Sequence, residues 1–141
     1  PLQAEALLSG IMLDTKNFVL KTGVRTFEAS AYLKRRGADT VEVKKLFSNS
    51  LDTYKERSQL VAGAEVYKNC AIACSNWEFP NVRIAAAQAA DELLSIQNVR
   101  ASFVIFRAGN ETNISARSLG DVNVQVLLEE FGGGGHPGAS A

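Results

Sequence analysis

The sequence predicts an α/β protein of two lobes, in which a helical lobe precedes a small lobe with a mixed sheet flanked by helices. Residues 1–50 show helical spacing of apolar residues without a strand-like run, whereas residues 69–141 alternate strand-like and helical segments. The charged amphipathic stretch between them, 51–68, is predicted to be a linker helix. At 141 residues, the chain has room for one ordinary core or for two small lobes.

The composition is that of a folded protein without a general affinity for polyanions. Hydrophobic residues make up 46% and charged residues 21% of the sequence, and 15 basic residues balance 15 acidic ones. A nucleic-acid or membrane footprint would need a basic excess, so any anion binding is expected to be local. No apolar run approaches the roughly 18 residues of a transmembrane helix, and we expect no direct membrane contact. Because the chain starts at Pro1 inside an apparent helix, we expect a piece of a longer protein.

The first predicted helix covers residues 2–13 and is rich in alanine and leucine. Leu2, Ala6, Gly10 and Leu13 follow helical spacing, which predicts that they lie on one face. Because few polar residues interrupt the segment, we expect this stripe to be buried in the first lobe.

Two further helices are predicted in the first lobe. Thr26 is expected to cap a helix over 27–36, which ends where Gly37 supplies a left-handed stop. The basic residues at the end of this helix face the negative end of its dipole, which is typical of helix-end residues. Asp39 is expected to start the helix that follows.

The second lobe opens with the only two cysteines, Cys70 and Cys74, in a short apolar segment with the pattern of a strand. Four residues of strand span about 13 Å, which is too far for a disulfide between them. We therefore expect buried thiols in a reducing compartment, with metal ligation as the alternative.

The second lobe is predicted to run strand, helix, strand, strand, helix. The segments are a strand at 71–75, an alanine-rich helix that opens at Pro80-Asn81 and reaches Leu94, strands at 99–106 and 112–119, and a helix whose apolar residues are Val124, Leu127, Leu128 and Phe131. Because alanine is small, the alanine-rich helix is expected to pack closely on the sheet. Asp121 is expected to cap the last helix.

The strand at 112–119 has two chemically different faces. Asn113, Ser115 and Arg117 alternate with apolar residues, so one face meets the core and the other offers an amide, a hydroxyl and a guanidinium in a row. Arginine forms a planar fork that matches phosphate oxygens, and serine adds a hydroxyl donor. Taken singly, an arginine on a strand face is more often an ordinary surface residue.

Four consecutive glycines, 132–135, lead into His136, the only histidine. The backbone at Gly133, Gly134 and Gly135 can take φ > 0 and approach a ligand closely, and successive amides form a concavity that suits phosphate. His136 could donate to phosphate or lie against a base. A hinge or helix stop is the alternative for the glycines, and a bond to a neighbouring carbonyl is the alternative for His136. Together with the strand face, the loop favours binding of a nucleotide phosphate.

The residues alone do not predict a metal centre. Metal-assisted hydrolysis requires several carboxylate or imidazole ligands, but this chain has one histidine and scattered aspartates. Asp14 is the aspartate without a clear structural role, although a single carboxylate just after a helix is usually a turn residue. We expect no catalytic residue and no two-metal centre within this sequence.

Six stretches resemble, in the right order, the C-terminal part of the DHH-family cyclic-di-AMP phosphodiesterases of Firmicutes. The resemblance covers nearly the whole chain, whereas the last stretch alone would be shared with many DHH-associated domains. The Asp-His-His motif that names the family is absent here, and residues 137–140 differ from the form closest to this subfamily. The six stretches are GIMLDTKNF (10–18), TGVRTFEASAYLKRRGAD (22–39), IAAAQAADELL (84–94), ASFVIF (101–106), ISARSLGDVNVQVLLEE (114–130) and GGGGH (132–136).

The resemblance implies a division of labour between two lobes. Residues 1–50 would be the C-terminal remnant of a DHH phosphoesterase lobe, and residues 69–141 a DHH-associated, nucleotide-binding lobe. Such enzymes hold two Mn²⁺ ions in the DHH lobe and open cyclic-di-AMP to linear pApA. Asp14 matches the last metal-binding aspartate of that lobe. With this ligand alone, the fragment is expected to bind Mn²⁺ poorly and to be inactive.

The resemblance also implies which residues contact the substrate. Ser115 and Arg117 match the substrate-contacting strand, and Gly133, Gly134, Gly135 and His136 match the substrate-binding loop. The partner is expected to be a cyclic dinucleotide or a short oligonucleotide, with a homodimer as a further possibility. A cytoplasmic location is implied, with the parent protein anchored in the membrane.

Two other functions stay open from the sequence. One is an oligoribonuclease or 3′-phosphoadenosine phosphatase of the same superfamily. The other is a non-catalytic module that binds nucleotides or RNA, as DHH-associated domains attached to other enzymes can be.

Overall fold

The computed structural model describes residues 1–141 and divides into two compact units, Pro1–Asn49 and Ser50–Ala141. The first unit contains three helices, α1 (Leu2–Asp14), α2 (Val24–Arg35) and α3 (Thr40–Leu46). Apolar side chains from all three helices and their connections form a small core. Its buried members are Ala4, Leu8, Leu33, Ala38 and Val43, with Ile11, Met12, Phe18 and Phe47 packed against them.

The predicted buried stripe of α1 is wrong. Leu2 is 75% exposed and Leu13 is 63% exposed, whereas Ala4 and Leu8 are buried in the core. Apolar residues occur on all sides of this helix, so their spacing does not distinguish one face from another. Glu5 connects α1 to the start of α3, because its carboxylate accepts a hydrogen bond from the Asp39 amide at 3.3 Å.

The predicted boundaries of α2 are partly correct. The helix begins at Val24, earlier than expected, and Gly23 is its N-cap residue. Thr26 lies inside the first turn, where its hydroxyl accepts a hydrogen bond from the Gly23 amide at 3.3 Å. The predicted stop is confirmed, because Gly37 follows the helix at φ +97°. The predicted cap of α3 is also confirmed, since Asp39 accepts a hydrogen bond from the first turn of that helix at 2.8 Å.

The second unit is a mixed sheet with helices on both faces, which confirms the predicted fold class. The sheet has six strands in the order β1-β2-β3-β4-β6-β5; β2 and β3 are parallel, and the other neighbouring pairs are antiparallel. Its elements are α4 (Leu51–Ala62), β1 (Glu65–Tyr67), β2 (Cys70–Ser75), α5 (Val82–Leu93), β3 (Ala101–Ala108), β4 (Glu111–Ser118), α6 (Val124–Glu129), β5 (Gly135–His136) and β6 (Ala139–Ser140).

The predicted linker helix over 51–68 is too long. Helix α4 ends at Ala62, Gly63 is its C-cap residue, and the remaining residues form the edge strand β1 and a turn. The apolar residues of this stretch keep a spacing that also suits a helix, so the pattern concealed the strand. Leu60 lies in the core of the second unit, and α4 therefore belongs to that unit.

Helix α5 covers one face of the sheet and α6 covers part of the other. Four alanines of α5 are fully buried, which confirms the predicted close packing of this helix on the sheet. On the opposite face, Val124 and Leu128 of α6 pack with Ala101 and Ala116. The four alanines are Ala85, Ala86, Ala89 and Ala90.

Two details at the ends of α6 differ from the prediction. The helix is capped by Asn123, whose Oδ1 accepts from the Gln125 amide at 3.1 Å. Asp121 instead accepts a hydrogen bond from Arg100 Nε at 2.7 Å, which lowers the pKa of its carboxyl group. Because the helix ends before Phe131, that side chain is 73% exposed.

The prediction for the cysteines is half correct. Neither forms a disulfide, as expected. Cys70 is half-buried, but Cys74 is exposed, so the expectation of two buried thiols is wrong. No helix of the chain combines the length and the apolar character needed to cross a membrane.

The packing of α5 predicts the response to an enlarged side chain. Ala89→Leu should lower the free energy of unfolding by about 1–3 kcal/mol, because Ala89 is fully buried against the sheet and overpacking forces the backbone to shift. Ala87→Leu, on the half-buried side of the same helix, is the matched control and should cost less. Urea denaturation of both variants measures the difference, and an equal loss would contradict the close packing.

Candidate functional site

The C-terminal residues form a hairpin that is attached to the edge of the sheet. His136 pairs with Ala139 across Pro137 and Gly138, and Ala139 in turn pairs with Arg117 of β4. Arg117 also pairs with Ser102 of β3. Paired residues point to the same side of a sheet, so these side chains form one row, which we call the Arg117 row: Ser102, Arg117, Ala139 and His136. Arg117 and His136 are two strands apart, and their Cα atoms are therefore separated by about 10 Å.

Arg117 is held in place on the face of the sheet that α5 covers. Its side chain is 14% exposed, and its Nε atom lies 3.3 Å from Oδ1 of Asp91 on α5. Its Nη1 atom donates a hydrogen bond to the carbonyl of Ala116 at 2.8 Å. The guanidinium group is therefore a fixed element of the site, unlike a surface arginine in solvent.

The polar face predicted for β4 is less open than the alternating pattern suggested. The apolar side of the strand does meet a core, as predicted, because Ala116 packs against α6. On the other side, α5 covers the strand: Ser115 is buried, and Asn113 accepts a hydrogen bond from Arg83 of α5 at 3.2 Å. Of the three polar side chains predicted to face a ligand, Ser115 is thus enclosed between the helix and the sheet.

The glycine loop does not offer the amide concavity that four consecutive glycines suggested. The amide of Gly132 donates to Glu129 O at 3.1 Å, and that of Gly133 donates to Leu128 O at 2.9 Å. The amide of Gly134 donates to Ala141 O, also at 2.9 Å. These three donors are satisfied within the chain, so the expected phosphate nest of successive amides is wrong for this part of the loop.

The glycines instead allow the backbone to approach itself closely. Gly135 has φ +141°, and a Cβ atom there would lie 2.7 Å from Ala139 O and 2.8 Å from Ser140 Cα. At Gly133 a Cβ atom would lie 2.6 Å from Ala141 O. All three distances are shorter than real Cβ contacts, so both positions require glycine for the hairpin to fold against the chain end.

His136 is exposed at the end of the Arg117 row. Its carbonyl accepts a hydrogen bond from the Ser140 hydroxyl at 3.0 Å, whereas its imidazole makes no hydrogen bond within the chain. The alternative in which the ring only binds a neighbouring carbonyl is therefore not observed. The ring is available to a ligand on the same side of the sheet as Arg117.

Asp14 lies apart from any cluster of metal-ligating side chains. Its side chain is 73% exposed, and its carboxylate is 3.8 Å from Lys21 Nζ. The chain contains no group of three or more His, Cys, Asp and Glu side chains that could hold a metal ion. A two-metal centre needs several carboxylate or imidazole ligands. The residues present therefore do not fit a pair of Mn²⁺ ions by themselves.

The sequence of the second unit decides the family. Residues 70–141 match the family described as the DHHA1 domain. The chain belongs to the DHHA1 domain family.

The relatives of this DHHA1 domain chain confirm the resemblance seen in its sequence. It is 50% identical over 137 residues to the cyclic-di-AMP phosphodiesterase PdeA of Listeria monocytogenes, and 49% identical over 139 residues to the cyclic-di-AMP phosphodiesterase GdpP of Bacillus subtilis. Each alignment covers 96% of this chain but 21% of the relative. The chain thus spans about a fifth of the length of these curated relatives.

A solved structure supports the fold of the DHHA1 domain chain. An exopolyphosphatase-related protein from Bacteroides fragilis superimposes with a TM-score of 0.84 at 24% sequence identity. The match covers 97% of this chain and 43% of that protein. At this level of identity, the similarity establishes the architecture alone.

The sequence did not predict the roles of two residues: Ala139, which belongs to the Arg117 row, and Asp91, which contacts Arg117 from α5. Asp91 has the pattern of a solvent-exposed helix residue, and its partner Arg117 is far away in the sequence. Ala139 follows the histidine without any local signal of a strand. Both positions are set by long-range packing and strand pairing, which local patterns do not reveal.

The hairpin geometry predicts different effects of two neighbouring substitutions. Gly135→Ala should destabilise the hairpin, because alanine is strained at φ +141° and its Cβ atom would contact backbone atoms of β6. Gly134→Ala is the matched control, since no atom lies within 4 Å of its Cβ position. Hydrogen exchange of the β5 and β6 amides should accelerate in the first variant alone. Similar exchange in both variants would contradict the required close approach.

Proposed function

We propose that this chain is the nucleotide-binding part of a phosphodiesterase that hydrolyses cyclic-di-AMP to pApA. Support comes from identities of 50% and 49%, over 96% of the chain, to proteins named for that activity. The observation that carries the proposal is the Arg117 row, in which a fixed guanidinium and an exposed imidazole share one side of the sheet.

The chemistry of this row suits a cyclic dinucleotide. Each phosphodiester of such a ligand carries one negative charge, and an arginine fork can donate two parallel hydrogen bonds to its oxygens. His136 can donate to a second phosphate oxygen or lie against an adenine ring. Since the net charge of the chain is zero, this local arrangement has to supply the attraction for the anion.

The hydrolytic step is assigned to a metal centre that this chain does not assemble alone. Asp14 is proposed as one ligand of two Mn²⁺ ions, with the remaining ligands supplied from outside residues 1–141. Ser115, Arg117, Gly133, Gly134, Gly135 and His136 are proposed to serve the binding of substrate, with Ser115 and the glycines acting through the shape of the site.

This division predicts that the 141-residue chain has no phosphodiesterase activity of its own. Incubation with cyclic-di-AMP and Mn²⁺ should leave the substrate intact, because no three ligands are present to hold a metal ion. Chromatographic measurement of pApA tests this prediction. Robust turnover, proportional to the chain concentration, would contradict it.

Binding of cyclic-di-AMP is expected to depend on Arg117. Arg117→Ala should weaken binding by about tenfold or more, because it removes charge-assisted hydrogen bonds to phosphate. Arg107→Ala is the control. It removes an exposed arginine at the end of β3 that is far from Arg117 and should leave the affinity unchanged. Isothermal titration calorimetry measures both, with thermal unfolding as a check that each variant folds.

The same titration separates the proposed substrate from the other candidates. Competition with pApA, 3′-phosphoadenosine and a short oligoribonucleotide ranks the four ligands. We expect cyclic-di-AMP or its product pApA to bind most tightly of the four. A clear preference for RNA would instead favour an oligoribonuclease or a nucleotide-binding module without catalysis.

A further inference from the structure

We infer that Asp91 is a positioning residue that orients Arg117 toward the phosphate of a bound nucleotide. This inference rests on the proposed function, because it concerns how the same site grips its ligand. Asp91 lies on α5 and Arg117 on β4, so the pair connects the covering helix to the strand that bears the candidate ligand contact.

The contacts of the guanidinium define which of its edges is held. Oδ1 of Asp91 lies 3.3 Å from Nε, and the Ala116 carbonyl accepts from Nη1 at 2.8 Å. The Nε atom is buried and makes no hydrogen bond, so Asp91 acts on it as a charge and not as a hydrogen-bond acceptor. The end of the guanidinium that bears Nη2 is not engaged by these contacts and is the part left for phosphate oxygens.

The next two positions of the row are occupied by a small side chain and by the exposed His136. Ala139 separates Arg117 from His136 in the row, and its side chain is a single methyl group. The Cα atoms of Arg117 and His136 are about 10 Å apart across this residue, a separation that leaves room for a phosphate group between the two side chains. An arginine that is already fixed by Asp91 and the Ala116 carbonyl loses less conformational entropy on binding than a mobile one.

Helix α5 holds Asp91 at a defined height above the sheet. The adjacent residue, Ala90, is fully buried, and its carbonyl accepts a hydrogen bond from the buried Ser102 hydroxyl at 2.5 Å. Ser102 is the neighbour of Arg117 in the row. This hydrogen bond therefore ties Ser102, the strand neighbour of Arg117, to Ala90, the helix neighbour of Asp91.

A role in positioning is distinguishable from a role in stability. The Asp91 side chain is 37% exposed but Arg117 is 14% exposed, so removing the charge of Asp91 also costs folding free energy, and thermal unfolding of each variant measures that cost separately from binding. Its negative charge also opposes an incoming phosphate. Removing that charge should thus strengthen binding if Asp91 acted only through the electric field, and weaken binding if it orients Arg117.

A double-mutant cycle with cyclic-di-AMP as the probe tests the inference. Asp91→Asn in the wild-type background should weaken binding by about threefold to tenfold. In the Arg117→Ala background the same substitution should have no effect or should tighten binding slightly, because nothing is left to orient. Glu92→Gln is the matched control: Glu92 is the next residue of α5 and lies 3.0 Å from Nε of another arginine, Arg57.

Each outcome of the cycle has one meaning. The inference is supported if Asp91→Asn weakens the affinity for cyclic-di-AMP in the wild-type background but not in the Arg117→Ala background, and if Glu92→Gln leaves the affinity unchanged. If Arg117→Ala weakens binding but Asp91→Asn leaves it unchanged or tightens it, the inference is overturned and the proposed function stands. If wild-type chain does not bind, or Arg117→Ala binds as wild type does, the binding role of Arg117 and this inference both fail. Equal weakening by Asp91→Asn in both backgrounds shows an effect not routed through Arg117 and also overturns it.

Discussion

The geometry of the candidate site depends on the pairing of β6 with β4. Ala139 pairs with Arg117, and this register brings the C-terminal hairpin to the edge of the sheet. Two backbone hydrogen bonds of 3.0 Å reinforce it: Ser118 donates to the carbonyl of Gly138, and the first amide of α6 donates to that of Pro137. Because side chains alternate along a strand, a slip of one residue would move the histidine of β5 to the opposite face.

This pairing gives the glycines a different role from the one their sequence suggests. Successive amides of a glycine run can form a phosphate-binding nest, but the amides of Gly132, Gly133 and Gly134 donate to carbonyls of the same chain. The glycines permit a tight return of the backbone, which places side chains beside Arg117. Under the proposed function, ligand recognition therefore depends on side chains more than on loop amides.

Local signals predicted the parts of the fold that local forces determine. Gly37 ends a helix, Asp39 caps the next one, and the alanines of α5 mark its close packing on the sheet. The errors occur where a pattern admits two structures. Helix α1 is apolar on all sides, and the stretch after Ala62 has a spacing compatible with a helix although it forms a strand.

The candidate site was only partly predictable for the same reason. Arg117 and His136 stand out by residue type, but their shared face follows from strand pairing over a long sequence separation. A titration with cyclic-di-AMP, followed in ¹H–¹⁵N NMR spectra, tests the central claim that this row receives the nucleotide. We expect the largest shifts at the amides of Arg117, Ala139 and His136 and at Arg117 Nε. Shifts confined to the far end of the sheet, around Arg107 and Gly109, or no shifts at all, would contradict it.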